Sequence, residues 1–325
     1  MQAKAIRFHA PGDADVLRIE TVDVPAPGPG QVLLRHRAIG VNFLDVYHRS
    51  GVYKLPLPSG CGSEGAGVIE AVGPDVTLFE LGDRVAYAGG EPGSYSELRL
   101  MPAARLVAVP DAVGDETAAA SMMKGMTAEY LLNRCVSLKA GDHALMYAAA
   151  GGVGLFAGQW AQHLGVKLIG VAAGPEKCAL ALANGYAAVI DRKTEDVAAR
   201  VREITGGRGV PVVFDSVGKA TFNTSIECLA PRGMFVSFGA TTGSPPPVEA
   251  GLLVRHGSLY FTRPSVAHYT ATREELEASA GAVFDLLARG VLRPQIGRRY
   301  PLADAAQAHH DLEAGRTSGS SLLTV

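Results

Sequence analysis

The chain of 325 residues is 47% hydrophobic and 19% charged, enough apolar content for one large core or two ordinary ones and too much for a disordered, collagen-like or small disulfide-stapled protein. Thirty Lys and Arg against 32 Asp and Glu leave a formal net charge of -2, so no basic field exists to hold a nucleic acid backbone or an anionic membrane. The cysteines Cys61, Cys135, Cys178 and Cys228 form no C-x-x-C pair, the start MQAKAIRFHA lacks a signal-peptide core, and apolar runs such as 144–150 are far short of the ~20 residues of a membrane span. These features predict a soluble protein of the reducing cytoplasm.

Strand patterns come first, at 3–9, 17–24 and 31–41, the third following the breaker run Pro25-Ala26-Pro27-Gly28-Pro29-Gly30. A short helix is predicted over 43–49, and glycine-bounded strands resume at 67–73 and 84–87, which suggests a compact barrel-like unit. Near Asp115 the character changes, and 116–135 carries Ala, Met and Leu at helical spacing. Strands at 143–149, 167–172, 188–191 and 210–215 then alternate with helices at 153–164, 176–184 and 197–205. A helix at 222–229 and strands at 234–240 and 258–262 bring the series to about six strands, the count of a doubly wound dinucleotide domain with helices on both faces of a parallel sheet. Helices at 273–289 and 302–313 and a last strand at 321–325 form a tail too short to fold alone, which is expected to pack back onto the N-terminal unit. The predicted class is therefore α/β: a doubly wound Rossmann domain plus a mostly β, barrel-like domain.

The sharpest local signal is Ala148-Ala149-Ala150-Gly151-Gly152-Val153-Gly154, between a predicted strand and a predicted helix. Against G-x-G-x-x-G the first glycine is replaced by Ala149, while Gly151 and Gly154 match. Such glycines let a pyrophosphate approach the backbone and leave helix N-terminal N–H groups aimed at it. A plain strand–helix turn reads the same on the motif alone, and the β/α series around it favours the cofactor site. Some twenty residues on, where an NAD site places an acid on the ribose, the second strand ends Val171-Ala172-Ala173-Gly174 without one. Lys177, one turn later, is able to pair with a 2'-phosphate as a point charge, and Arg192 to add a second contact, so NADP is favoured. A solvated helix-surface lysine is the bland alternative for Lys177.

The stretch Gly60-Cys61-Gly62-Ser63-Glu64-Gly65-Ala66-Gly67 through Gly73, continuing to Leu81-Gly82-Asp83-Arg84-Val85, resembles the N-terminal signature of the medium-chain dehydrogenase/reductase superfamily. Zinc-dependent members carry a His ligand before the matching Glu, where this chain has Ser63, and a Cys ligand in the loop that here reads Val41-Asn42-Phe43-Leu44-Asp45. The structural zinc lobe is missing too, since Tyr87 runs through Gly89-Gly90-Glu91-Pro92-Gly93 to Tyr95. No metal is implied. Within the superfamily, Asn42-Phe43-Leu44-Asp45-Val46-Tyr47, the glycine turn, Phe214-Asp215-Ser216-Val217-Gly218 and Thr262-Arg263-Pro264-Ser265 are similar to the NADPH:quinone oxidoreductases of the zeta-crystallin type, over nearly the whole chain.

The resemblance implies a GroES-like catalytic domain from 1–125 and 264–325 around an NADPH-binding Rossmann domain at 126–263, with a small-molecule quinone as substrate. Its implied cofactor contacts are Phe43, Asp45, Lys124, Thr127, Gly151, Gly152, Val153, Gly154, Gly174, Lys177, Arg192, Ser216, Gly239, Ala240, Pro264 and Arg316. Arg192 stands where relatives commonly have Tyr, and Arg316 where many have Gly-Lys. Asn42, Tyr47 and Tyr53 are the implied catalytic residues, each able to hydrogen-bond a developing hydroquinone oxygen. Hydride transfer to an electron-poor ring needs mainly positioning, and no strong acid.

Plainer roles stand beside these: a helix cap for Asn42, a core helix residue for Tyr47, an exposed loop aromatic for Tyr53, a first-turn helix acid for Asp45, and capping of the linker helix for Lys124 and Thr127. His309 and His310, adjacent on a helix, face different directions and share no metal. Two other functions fit the same framework: an NADPH-dependent reductase of activated C=C bonds (alkenal, enone or enoyl thioester) and a non-catalytic, crystallin-like NADPH-binding protein. The apolar run 258–262, with nothing after it to cover its edge, predicts a homodimer by edge-strand pairing.

Overall fold

The computed structural model describes all 325 residues. The strands in chain order are β1 (Gln2–Phe8), β2 (Arg18–Asp23), β3 (Gln31–Val41), β4 (Ser59–Gly60), β5 (Glu64–Val72), β6 (Arg84–Ala88), β7 (Leu98–Pro102), β8 (Val107–Ala108), β9 (His143–Tyr147), β10 (Lys167–Ala172), β11 (Ala188–Asp191), β12 (Val210–Asp215), β13 (Leu229–Ser237), β14 (Tyr260–Thr262), β15 (Ile296–Pro301) and β16 (Ser320–Thr324). The helices are α1 (Phe43–Arg49), α2 (Asp115–Tyr130), α3 (Gly152–Leu164), α4 (Pro175–Leu182), α5 (Val197–Ile204), α6 (Phe222–Cys228), α7 (Ala250–Arg255), α8 (Val266–Tyr269), α9 (Arg273–Ala288) and α10 (Ala305–Glu313). The chain divides into two compact units: Met1–Met126 with Thr270–Gly290 and Pro294–Val325, and Thr127–Tyr269 with Val291–Arg293.

In the first unit β3 is the hub. It pairs antiparallel with β5, β7 and β16, inside the order β15-β16-β3-β5-β6-β8. With neighbours on both sides and side chains buried on both faces, it reads as a nearly continuous apolar run broken by Arg35, His36 and Arg37. The tail docks on this hub: Leu322 and Leu323 of β16 are fully buried opposite Gly40 and Ile39, each contributing roughly 1.5–3 kcal/mol of burial. α9 starts at a capping box in which Thr272 accepts from Glu275 N and the Glu275 carboxylate accepts from Thr272 N.

In the second unit six parallel strands run in the order β11-β10-β9-β12-β13-β14, the doubly wound arrangement. Leu145, Val171, Val213, Phe235 and Ile226 lie in its core. Gly165 ends α3 in the left-handed region at φ 73°, a conformation that suits glycine best.

Several boundaries differ from the sequence expectations, each for a local reason. The strand expected over 143–149 stops at Tyr147 because Ala148 turns to φ 54°. The strand expected at 234–240 begins at Leu229, with a register irregularity opposite Val210 and Val212, so α6 ends at Cys228. The helix expected over 116–135 is α-helical only to Tyr130 and finishes as a π turn over Leu131–Cys135. The two-residue strands β4 and β8, the strands β7 and β15 and the short helices α7 and α8 were not expected at all. No helix is long and apolar enough to cross a membrane.

Ala149 replaces the first glycine of the fingerprint without loss of the turn, and the reason lies on the next strand. A Cβ on Gly170 of β10 would stand 2.8 Å from the Ala149 Cβ and 2.8 Å from the Tyr186 ring, so the bare backbone there makes room for the alanine methyl. We expect Gly170→Val to overpack this point and destabilise the protein by about 1–3 kcal/mol. Urea denaturation checks it, and an unchanged midpoint rules the packing argument out.

Candidate active site

α1 opens directly after β3, and its first turn is fixed from inside the first unit. The Asp45 carboxylate accepts from Asn42 N (2.9 Å), Ser63 Oγ (2.9 Å) and Tyr95 OH (2.9 Å), and is fully buried. Ser63, where zinc-dependent relatives place a His, is thereby a buried donor to Asp45. Beside it the buried Glu64 carboxylate accepts from Asn42 Nδ2 (2.8 Å), Lys124 Nζ (2.8 Å) and Met123 N (2.6 Å). A buried charge of this kind is tolerated when it is both paired and hydrogen-bonded. Gly40 is required for it, since a Cβ there would collide with the Glu64 carboxylate and stand 2.6 Å from Ala119 O.

The aromatic residues gather on the same helix and just after it. Tyr47 lies 6.3 Å from Phe43 and edge-on to Tyr53 at 5.6 Å between ring centroids, and Tyr53 N donates to Tyr47 O at 3.0 Å. Tyr53 is 40% exposed. Asn42, Phe43, Tyr47 and Tyr53 thus form one patch of aromatic faces beside an amide held by a carboxylate. Lys124 belongs with it through Glu64. Thr127, one turn further along α2, is buried. Asp45 points inward. Arg316 is not brought to this patch, because its guanidinium bonds Asp311 at 2.7–2.8 Å, the carboxylate that also takes Arg298 and Tyr300.

On the second unit the remaining candidates collect at the C-terminal ends of the parallel strands, where doubly wound sheets bind ligands. Gly151 is the N-cap of α3, and Gly152, Val153 and Gly154 form its first turn. A Cβ at Gly154 would run into the carbonyls of Ala148 and Ala149, while Gly154 O accepts from Tyr186 OH at 2.7 Å. Gly239 lies against Ser216, whose Cα would be 2.8 Å from an added Cβ. Asp215, fully buried, holds that loop by accepting from Val217 N, Gly218 N, Thr221 Oγ1 and Ser225 Oγ at 2.7–3.0 Å. Arg263, next to Pro264, donates to Gly239 O (2.7 Å) and Ser237 Oγ (3.0 Å), which ties Gly239 and Ala240 to the end of β14. Gly174, at φ 89°, caps α4, with Lys177 in the first turn and Arg192 just past β11.

Glu64, Asp215 and Arg263 organise these loops, and sequence reasoning did not single them out as site residues. The signal for the two acids was an acidic residue within an apolar strand context, which demands an internal partner. No group of three or more His, Cys, Asp or Glu side chains is arranged to hold a metal ion.

Burial sets the titration of the interior. It pushes Asp45 up to about 6, against the opposing hydrogen bonds from Asn42 N, Ser63 and Tyr95 and the charge of Lys124. It pulls His36 down to about 3, with help from Arg99, and His309 to about 3, with help from Arg49 and His310. Both imidazoles are neutral hydrogen-bond partners at neutral pH, His36 to Ser96 O and Tyr87 OH, and His309 to Tyr95 OH.

A barrel unit interrupted by a dinucleotide unit, with the fingerprint turn at the strand ends, places the molecule in the alcohol dehydrogenase class of two-domain oxidoreductases. Residues 28–111 match the alcohol dehydrogenase GroES-like domain and residues 152–284 the zinc-binding dehydrogenase domain. The chain is 52% identical to a quinone oxidoreductase of Pseudomonas aeruginosa over 99% of both proteins. It is 44% identical to a 2-haloacrylate reductase of a Burkholderia species over 97% of both. The crystal structure of Escherichia coli quinone oxidoreductase complexed with NADPH superposes with a TM-score of 0.98 at 44% identity, covering 99% of this chain and 100% of that one. The chain belongs to the quinone oxidoreductase family.

The buried groups predict a definite acid response. Between about pH 4 and 6 the unfolded chain binds two protons, on His36 and His309, that the native state excludes, whereas the native state keeps one, on Asp45, that the unfolded chain has released. The histidine contribution is lost as pH falls below 6.5, and the Asp45 penalty is relieved over part of the same range. The net difference is one proton, so these groups lower stability by about 1.4 kcal/mol per unit of acidification. Urea midpoints at pH 6, 5 and 4 measure it. His309→Gln is expected to bring the slope down by one proton, and a variant with the wild-type slope refutes the assignment.

Proposed function

We propose that the protein is a cytoplasmic NADPH:quinone oxidoreductase that acts without a metal and as a homodimer. The reading is carried by the patch Asn42–Tyr47–Tyr53, which begins in the loop where the resemblance to zinc-dependent dehydrogenases would place a Cys ligand. Ser63 and Asn42 offer a hydroxyl and an amide, each already bonded to a buried carboxylate, in place of the N/S ligands that zinc prefers. What remains is a surface suited to a flat, polar-edged ring. A quinone fits it, and the family's quinone oxidoreductases point to the same substrate class.

The nucleotide unit fits NADPH. At the turn Gly151, Gly152, Val153 and Gly154 the Gly151 N–H closes onto Ala148 O at 2.9 Å, and the first turn of α3 beyond it offers its N–H groups to a pyrophosphate without Cβ obstruction from the glycines. Gly174, Lys177 and Arg192 offer cations and no ribose-reading acid at the end of β10, which suits a 2'-phosphate. Ser216, Gly239, Ala240 and Pro264 are further proposed cofactor contacts of the second unit, and Phe43, Lys124 and Thr127 are contacts that the family resemblance implies. Asp45 and Arg316 act within the first unit instead. Bound NADPH supplies the hydride. The chain's own work is to hold the acceptor ring: Tyr47 and Tyr53 bracket it, and Asn42, anchored by Glu64, lines its polar edge. Reduction of the electron-poor ring then requires one proton in addition, which solvent is able to deliver.

A second reading has its own support in the 44% identity to a 2-haloacrylate reductase, an activated C=C substrate reduced in the same framework. NADPH oxidation with 1,4-benzoquinone, 9,10-phenanthrenequinone, 2-hexenal and 2-chloroacrylate separates the two. Higher kcat/KM on both quinones is the expected result, and preference for 2-chloroacrylate overturns it. Because positioning carries the reaction, Tyr47→Phe and Tyr53→Phe are each expected to slow quinone reduction by about tenfold or less, whereas a general acid contributes ~10²–10⁴. A thousandfold loss in kcat with NADPH affinity intact contradicts the positioning mechanism.

The homodimer rests on β14. It pairs only with β13, ends the six-stranded sheet, and carries Tyr260 at 58% exposure. An apolar edge with free backbone groups is satisfied by pairing with its symmetry mate. Light scattering is expected to give twice the chain mass, and Tyr260→Pro to shift it toward the monomer. A wild-type monomer across dilution removes the proposal.

A further inference from the structure

We propose that Lys193, which neither the fingerprint nor the family resemblance singles out, determines the preference for a phosphorylated adenosine ribose, and that Asp191 is the positioning residue that puts it there. The inference rests on the NADPH reading above and adds to it a residue and a reason. β10 and β11 run in parallel with Ala172 beside Asp191, so the turns that follow them, Ala173–Gly174 and Arg192–Glu195, leave the sheet side by side. Arg192 N donates to Ala172 O at 3.0 Å. The Asp191 carboxylate then joins the two turns: its Oδ1 accepts from Gly174 N at 2.9 Å and from Lys193 N at 3.0 Å. These backbone bonds, with the charges of Lys193 and Arg192, hold Asp191 below the usual carboxylate range.

One oxygen of this acid is thus turned onto the backbone of both turns. Its neighbour Glu195 is also engaged, accepting from Asp191 N at 2.8 Å and lying 3.6 Å from Arg200. Glu176 is a further acid in the first turn of α4. Above Gly174 the opposite sign prevails. The nearest atom to the place where a Gly174 Cβ would stand is Lys193 Nζ, at 3.8 Å. Glycine at this position serves twice, since φ 89° strains any other residue and the missing side chain leaves the space under the ammonium open. Lys193 therefore stands over the start of α4, with Lys177 in the first turn of that helix and Arg192 next to it in the chain, and the helix N-terminus there also favours an anion.

The chemistry recognised is a phosphate monoester on the adenosine ribose, and its probes are 2',5'-ADP against 5'-AMP, titrated calorimetrically into the full-length protein. Wild type is expected to bind 2',5'-ADP at least tenfold tighter; if it does not, the NADPH reading itself fails. Given that preference, Lys193→Met is expected to weaken 2',5'-ADP about tenfold and leave 5'-AMP within twofold, while Lys193→Arg restores binding to within threefold. Equal loss for both nucleotides, or no loss, overturns the role of Lys193 alone. Asp191→Ala tests the positioning step. Removal of a negative charge from a phosphate site strengthens binding on electrostatic grounds, whereas loss of the tie between the two turns weakens it, and we expect weakening by about fivefold or more for 2',5'-ADP. Stronger binding of 2',5'-ADP, or a weakening that 5'-AMP shares equally, refutes the positioning role.

Discussion

The buried carboxylate of Glu64 is the constraint on which the first unit depends. It begins β5, and its three donors come from the cap of α1 and from consecutive residues of α2. An ionised carboxylate in a dry interior is costly when any partner is missing and tolerable only when all are in place. Three elements far apart in sequence must therefore assemble together, and Gly40 must be bare for the carboxylate to fit between β3 and α2. The same arrangement fixes the carboxamide of Asn42, because a carboxylate oxygen accepts and never donates, so the amino end of the amide faces Glu64. Site geometry here follows from core electrostatics.

The nucleotide unit is governed more by space than by charge. Its turn closes because Gly154 has no Cβ to strike two carbonyls, and it admits an alanine at position 149 because Gly170 on the adjacent strand has withdrawn its own. Asp215 supplies a strongly polar anchor, with four donors around a carboxylate at the end of β12. Fixed backbone amides at a helix start then provide the field for an anion without a side chain being ordered to make it. A rigid cradle of this sort suits a cofactor that must be held in one pose.

Elements with a strong period were legible in the sequence: the β/α alternation from His143 onward, the hub strand at 31–41, and the returning tail. Elements that owe their existence to pairing were not. β4 and β8 are two residues long and carry no periodicity, and the π turn after Tyr130, Leu131-Leu132-Asn133-Arg134-Cys135, contains no Gly or Pro to mark the end of the helix. The site divides in the same way. Asn42, Tyr47 and Tyr53 lie within twelve residues, and their chemistry shows in a short motif. Glu64 and Lys124 are sixty residues apart, and only the fold shows that they form a buried ion pair. Lys193 was invisible for a related reason: its neighbours in sequence say nothing about Gly174, and the link runs through a carboxylate on the adjoining strand.

By the resemblance to zinc-dependent dehydrogenases, Ser63 stands at a His ligand position and Asn42 in the loop that would carry a Cys ligand, and neither side chain is idle. Each donates to a carboxylate, Ser63 to Asp45 and Asn42 to Glu64, so the two side chains hold two buried acids in place. Lys124 balances one of them as a fixed ammonium. Asp45 has no cation bonded to it and relies on three neutral donors, which is why burial raises its pKa to about 6 in spite of them. A hydroxyl and an amide are enough for this task, because the task is to satisfy lone pairs and not to polarise a substrate oxygen. Lewis-acid power matters most when the hydride partner is an alcohol or a simple carbonyl. For an acceptor that is already electron-poor, the same scaffold can spend these positions on rigidity, and the aromatic patch on α1 is held in register as a result.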